Sequence, residues 1–113
     1  PIGVGHKLLE DGTVAPYGAL SFLPFTPKES LDALNHMYKI PGLVGKYGLY
    51  DAYSYATKAN GDQPWIGKSY LGIDKGLVLL MFENYSTQLI WKLLHQNKSI
   101  QKGLKRLAFS QTN

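Results

Sequence analysis

The alternation of apolar and polar positions divides the chain into four stretches. Residues 1–25 scatter apolar side chains among Gly12, Pro16, Gly18 and Pro24 without a sustained period, which predicts an ordered loop or short extended segments. Thr26 then offers an N-cap, Pro27 suits the first helical position, and Glu29 falls where a capping box needs it. Leu31, Leu34, Met37 and Tyr38 follow at helical spacing on one face, and Pro41-Gly42 ends that helix.

Residues 42–73 alternate glycine (42, 45, 48, 61, 67 and 72) with aromatics and hold no long period. A connection of this length is usually functional, so it reads as a structured active-site loop with a short helix near Pro41–Lys46. From Lys75 to Gln96 runs the strongest helical pattern. Its first part, Leu77 to Phe82, is apolar all round; Glu83, Asn84, Thr87 and Gln88 interrupt it before Leu89-Ile90-Trp91. The run is far short of the ~20 residues that span a bilayer, so it predicts a helix buried by protein on several sides and no membrane span. The helices from Thr26 and Ser99 are too few to surround it, which implies partners outside this stretch of chain. The last helix starts near Ser99, with Ile100, Gly103, Leu104 and Leu107 on one face, and fades at Phe109. Ser110–Asn113 reads as a chain end and Pro1 as a cut or processed one.

Composition narrows the classes. With 113 residues, 44% of them apolar, and eight Tyr, four Phe and two Trp, the chain is at most one ordinary domain and is not a disordered segment. The net charge of +4 is modest. The densest basic group, Lys98, Lys102, Lys105 and Arg106, lies on the C-terminal helix, where dipole and solvation account for it, and no basic stripe with interleaved aromatics points to nucleic acid. There is no cysteine, hence no disulfide framework and no thiolate metal site.

Several signatures fail on spacing. Gly67-Lys68-Ser69 resembles the end of a phosphate-binding loop, but Gly61 stands one residue too far upstream. His6, His36 and His95 are far apart and form no ligand pattern, so no metal is expected. Asn84-Tyr85-Ser86 and Asn97-Lys98-Ser99 match glycosylation sequons, the first of them inside a predicted helix. The acidic residues say more. Glu10, Asp11, Glu29 and Asp32 sit where solvation explains them. Asp51 lies among aromatics, Asp74 precedes the buried helix, and Glu83 lies within it. A buried carboxylate is costly unless paired, and raised carboxyl pKa values are what a glycosidase needs in its general acid. Structural roles are open beside that one: Asp74 suits a helix N-cap, and Glu83 suits a partner for a basic residue elsewhere.

These residues carry a resemblance. Pro24-Phe25-Thr26-Pro27-Lys28-Glu29-Ser30, Tyr47-Gly48-Leu49-Tyr50-Asp51-Ala52-Tyr53, Tyr70-Leu71-Gly72-Ile73-Asp74-Lys75-Gly76, and Met81-Phe82-Glu83-Asn84-Tyr85 resemble successive signatures of the glycoamylase-like family, in order and at the right spacing. Leu89-Ile90-Trp91 and Gly103 to Phe109 are similar to its closing helices. The resemblance covers nearly the whole chain. It implies an all-α fold, residues 1–113 being the C-terminal part of a single (α/α)6 barrel with long loops between its helices. Relatives include endo-β-1,2-glucanases of glycoside hydrolase family 144 and the C-terminal domains of cyclic β-1,2-glucan synthases. It further implies a cofactor-free glycoside hydrolase acting on an oligosaccharide or polysaccharide β-glucan, periplasmic or secreted. Asp51, Asp74 and Glu83 would then be the catalytic carboxylates, with Asn84 also lining the cleft; Tyr53, Trp65 and Tyr70 are, by composition alone, candidate rings for stacking on sugar. Lys75 and Leu77 depart from the family's Gln and Pro.

Helix geometry limits what the stretch does alone. If Asp74 and Glu83 share one helix, nine residues separate them by about 13.5 Å along the axis and place them about 180° apart around it. They cannot form an acid/base pair with each other, so one member is expected from N-terminal barrel helices outside these residues, and the chain alone is expected to turn over little. The competing reading is a carbohydrate-binding or scaffold module of the same fold; a weaker one is a small helical interaction protein that buries its central helix in an oligomer.

Overall fold

The computed structural model describes residues 12–56 and 62–110. The sequence readings of His6, Glu10, Asp11, Gly61 and Gln111–Asn113 lie outside them. Where residues 1–25 predict loop, Pro16 fixes a helical φ and starts a five-residue helix, α1 (Pro16–Leu20), after a short extended strand, β1 (Thr13–Val14). α2 (Pro27–Met37) opens with Pro at its first position, as expected. The capping box does not form. Thr26 makes no side-chain cap; its hydroxyl turns back to the Phe22 carbonyl at 3.4 Å, and the helix is instead tied to α1 by Ser30 Oγ donating to the Ala19 carbonyl at 2.9 Å.

The expectation of an all-α chain is corrected in residues 42–73, which hold strands where a short helix near residue 41 and a loop are expected. β2 (Val44–Gly45) and β3 (Gly48–Leu49) form a hairpin, with Val44 opposite Leu49 and Gly45 opposite Gly48. Gly48 has φ 91°, a left-handed conformation that glycine adopts without a Cβ penalty. β4 (Ala52–Ser54) is the centre of a three-stranded antiparallel sheet, flanked by β1 and β5 (Trp65–Gly67). Aromatic and β-branched residues between glycine turns favour such pairing over helix, and this is why the alternation of glycine and aromatics reads as strand here.

The core sits where these strands meet α2. Met37, Ile40, Leu43, Leu49 and Tyr53 are buried together, with Ala19, Leu20, Ala33, Leu34, Tyr50 and Ile66 packed around them. Of the predicted apolar face of α2, Met37 is buried and Leu34 half-buried, while Leu31 and Tyr38 stay exposed.

The long C-terminal helix is two helices. α3 (Gly72–Thr87) starts three residues before the predicted Lys75 and ends at Gln88, whose φ of 60° is left-handed; α4 (Leu89–Gln96) begins at once. Asn97 ends α4 and caps α5 (Lys98–Arg106), its Oδ1 accepting from the Ser99 and Ile100 amides at 2.9 and 3.3 Å. No apolar side chain of these three helices is buried: Ile73 is 82% exposed and Leu79 70%. The chain exposes 8786 Å², where a compact monomer of its 12.6 kDa exposes about 6,200 Å².

Candidate active site

Three ties draw residues 47–51, from the β2–β3 turn to the start of β4, against residues 69–75, which lead into α3. The Asp51 amide donates to the Ser69 carbonyl at 3.1 Å, the Tyr47 amide to Tyr70 Oη at 3.2 Å, and Lys75 Nζ to the Leu49 carbonyl at 2.5 Å. Tyr47 and Tyr50 pack on Tyr70 with ring centroids 5.4 and 5.0 Å away, and Lys75 Nζ lies 5.8 Å from the Tyr70 ring centre. The Tyr50 hydroxyl donates to Tyr70, which pushes the Tyr50 pKa up. This close packing requires Gly45: a Cβ there would run into Tyr70 Oη and come within 2.5 Å of the Tyr50 ring.

Asp51 and Asp74 therefore meet. Asp74 is the third residue of α3, so it is not the N-cap, which is Leu71. Its pKa is raised, first by desolvation, then by the hydrogen bond and charge of Asp51, against the opposing charge of Lys75. Asp74 thus keeps its proton to higher pH and donates it to Asp51. As two carboxylates the pair would repel, and Asp51 Oδ1, which is buried, has no donor among the described residues in that state. Protonation of Asp74 relieves the repulsion. The pair lies beside Tyr47, Tyr50 and Tyr70.

Glu83 stands apart. It lies on α3 nine residues beyond Asp74, as the sequence implies, and its Oε1 accepts from Thr87 Oγ1 at 2.6 Å. Thr87 Oγ1 in turn accepts from the Leu89 amide at 3.1 Å. Asn84 is buried to 2%; its Oδ1 accepts from the Trp91 amide at 3.2 Å. Gln88, being left-handed and without a side-chain cap, leaves the first amides of α4 to these two borrowed acceptors. Asn84 and Glu83 are thus built into the α3–α4 junction.

The three aromatics expected to stack on sugar separate as well. Tyr53 is in the core at 8% exposure, its ring surrounded by aliphatic side chains. Trp65 is 40% exposed, leaning along β5 over Gly67, the residue paired with Ala52 beside Asp51. Tyr70 is half-buried among Tyr47, Tyr50 and Lys75. The sequence reading missed Tyr47, Tyr50 and Gly45. The run Gly45-Lys46-Tyr47-Gly48 is the hairpin signal that could have found them, since glycines flank a two-residue turn.

The site thus brings two carboxyls, one from a turn and one from the first turn of α3, beside exposed aromatic rings. Residues 2–98 match the family model Glycoamylase, described as "Putative glucoamylase", and the chain belongs to that family. It is 35% identical over 100 residues to an exo β-1,2-glucooligosaccharide sophorohydrolase (non-reducing end) of Parabacteroides distasonis, a match that covers 87% of this chain and 13% of that protein. Among solved structures it is similar to the endo-β-1,2-glucanase of Chitinophaga pinensis, in complex with sophorotriose and glucose, at 39% identity and TM-score 0.72 over 88% of this chain. It is similar also to a "putative glucoamylase" of Bacteroides fragilis at 40% identity and TM-score 0.73 over 90% of this chain. The chain spans 23% of each of those two structures.

Proposed function

We propose that this chain is one wall of the cleft of a glycoside hydrolase acting on β-1,2-glucan, and that Asp74, steadied by Asp51, is its proton-holding carboxyl. The observation that carries this reading is the Asp51–Asp74 contact with the Asp74 pKa raised, in a chain 35% identical to a sophorohydrolase. A general acid must hold its proton near the working pH, and a desolvated carboxyl beside a second one does so.

The two carboxyls are within hydrogen-bond reach of each other, whereas the opposed carboxyls of retaining and inverting glycosidases stand about 5–5.5 and about 6.5–9.5 Å apart. Asp51 and Asp74 therefore act as one unit on one side of the glycosidic bond. Glu83 is about 13.5 Å away along α3 and serves the helix junction, so the opposing carboxyl comes from the rest of the parent barrel. That remainder also covers the exposed apolar faces of α3, α4 and α5, as an (α/α)6 barrel requires and as the excess exposed area supports. Residues 1–113 are in this reading the C-terminal portion of that one barrel domain. Trp65 and Tyr70 offer ring faces to glucose units. The parent protein works in the periplasm or outside the cell.

The test is a reducing-sugar assay on linear β-1,2-glucan with the full-length protein and its Asp74→Asn and Glu83→Gln variants. Asp74→Asn is expected to lose at least a hundredfold in kcat without melting below the unaltered protein, and Glu83→Gln to keep most activity while melting lower. Full activity in Asp74→Asn would sink the assignment. No hydrolysis by the unaltered protein, with binding retained, would favour a carbohydrate-binding module of the same fold.

A further inference from the structure

Of the three ties between residues 47–51 and residues 69–75, two are donated by backbone amides, and one by a cation. That cation is Lys75, next in sequence to Asp74. Its Nζ reaches across to the Leu49 carbonyl at 2.5 Å, two residues before Asp51, and stands 5.8 Å from the centre of the Tyr70 ring. A lysine side chain left to itself extends into water; this one is folded back onto a carbonyl and a ring face at the place where the two carboxyls meet. We infer that Lys75 is a positioning residue for the Asp51–Asp74 pair, tying the strand that leads into one carboxyl to the helix that carries the other and holding a positive charge next to Asp74. The inference rests on the reading of that pair as the catalytic proton store and gives the store its setting.

Two effects follow from one side chain. The Nζ–Leu49 bond fixes the distance across which Asp74 donates to Asp51, so its loss lets the turn move away from the helix. The charge favours ionised Asp74, opposing the desolvation and the Asp51 contact that raise its pKa. Lys75 therefore keeps the raised pKa from rising further. Among the described residues, Lys75 is the one cation that acts on Asp74. α1, packed on α3, carries no charged side chain, and Lys92 of α4 donates to the Thr87 carbonyl at the opposite end of α3. His95 follows on α4 after Lys92, and Tyr50 and Tyr70, which face Lys75, are phenols. Lys46 lies over the Tyr47 ring at 5.2 Å.

Three variants of the full-length protein separate tie from charge. Lys75→Gln keeps a donor and removes the charge; Lys75→Arg keeps the charge; Lys75→Met removes both. The measurements are the pH dependence of kcat on linear β-1,2-glucan and the pH titration of the Asp74 carboxyl carbon by NMR with ¹³C labelling. With Asp74 acting as acid, activity falls as pH rises through its pKa. In Lys75→Gln that alkaline limb and the Asp74 titration are both expected to move to higher pH, and in Lys75→Arg neither moves. Lys75→Met is expected to shift the same way and to lose about tenfold in kcat with KM within about twofold, since misplacement of a reacting group acts on the chemical step. A Lys75→Gln titration and pH profile identical to those of the unaltered protein would overturn the inference, and Lys75→Gln against Lys75→Arg decides it even if Lys75→Met does not fold. If the unaltered protein hydrolyses no β-1,2-glucan, the functional reading fails, and the NMR titration still decides the role of Lys75.

Discussion

At the scale of the residue, the chain holds a carboxyl in a state that does not suit folding at neutral pH. A group whose folded pKa is raised contributes stability that is full below its unfolded value and is lost as pH rises through the folded one. For Asp74 that loss begins above the ordinary 3.8. Asp74→Asn removes the ionisation, so the variant should gain in melting temperature over the unaltered protein as pH rises from 4 towards neutrality. Thermal melts of both at matched pH check this; parallel curves would mean that Asp74 ionises without cost. The same substitution is expected to abolish activity, so one residue trades stability for chemistry. None of this is visible in Asp74 alone, because the partner that makes it unusual is 23 residues earlier in the chain, in a turn.

At the scale of the element, the junctions carry the information that composition hides. α3 and α4 meet at Gln88 without a linker, and Asn84 reaches over to satisfy the Trp91 amide. Asn84→Ala removes that acceptor and leaves a part-buried donor unpaired, a loss of about 1–3 kcal/mol. The expected signature is a lower urea midpoint together with faster hydrogen exchange at Trp91 and unchanged exchange in α5. Equal exchange at Trp91 in both proteins would assign the cap elsewhere. Helix periodicity made α2, α5 and the joint span of α3 and α4 legible in the sequence, since 3.6-residue spacing survives without tertiary context. The break at Gln88 was not legible, because a left-handed glutamine between two helical patterns leaves no mark that a polar surface residue would not leave. The strands were missed for a related reason: two- and three-residue strands are too short to show alternation. Among candidate site residues, Asp51 and Asp74 stand out in the sequence as carboxylates out of place, whereas the burial of Tyr53 in the core and the bond of Asn84 to the Trp91 amide are partners that residue type alone does not reveal.

At the scale of the whole molecule, the chain is an extended body. Its radius of gyration is 17.6 Å, where a compact domain of this length has about 13 Å. Its buried core serves α2 and the strands, and the helices α3 to α5 turn bare leucine, isoleucine and phenylalanine outward. Surfaces of that kind associate. The isolated 113-residue chain is expected to sediment as an assembly heavier than a monomer and to bind a hydrophobic dye, whereas the full-length protein does neither. A compact dye-free monomer would show that these faces close on themselves and would remove the need for the rest of a barrel.

The single-residue joints at Gln88 and Asn97 have one more consequence, for how this part of the protein can change length. A joint with no spare residues transmits rotation: one amino acid added after Gln88 would turn everything downstream by about 100° about the helix axis and advance it by about 1.5 Å. Trp91, whose ring lies 5.7 Å from Phe25, would swing off its partner, and the Asn84 amide would face the wrong backbone. The segment from Thr87 to Ser99 behaves as a keyed shaft.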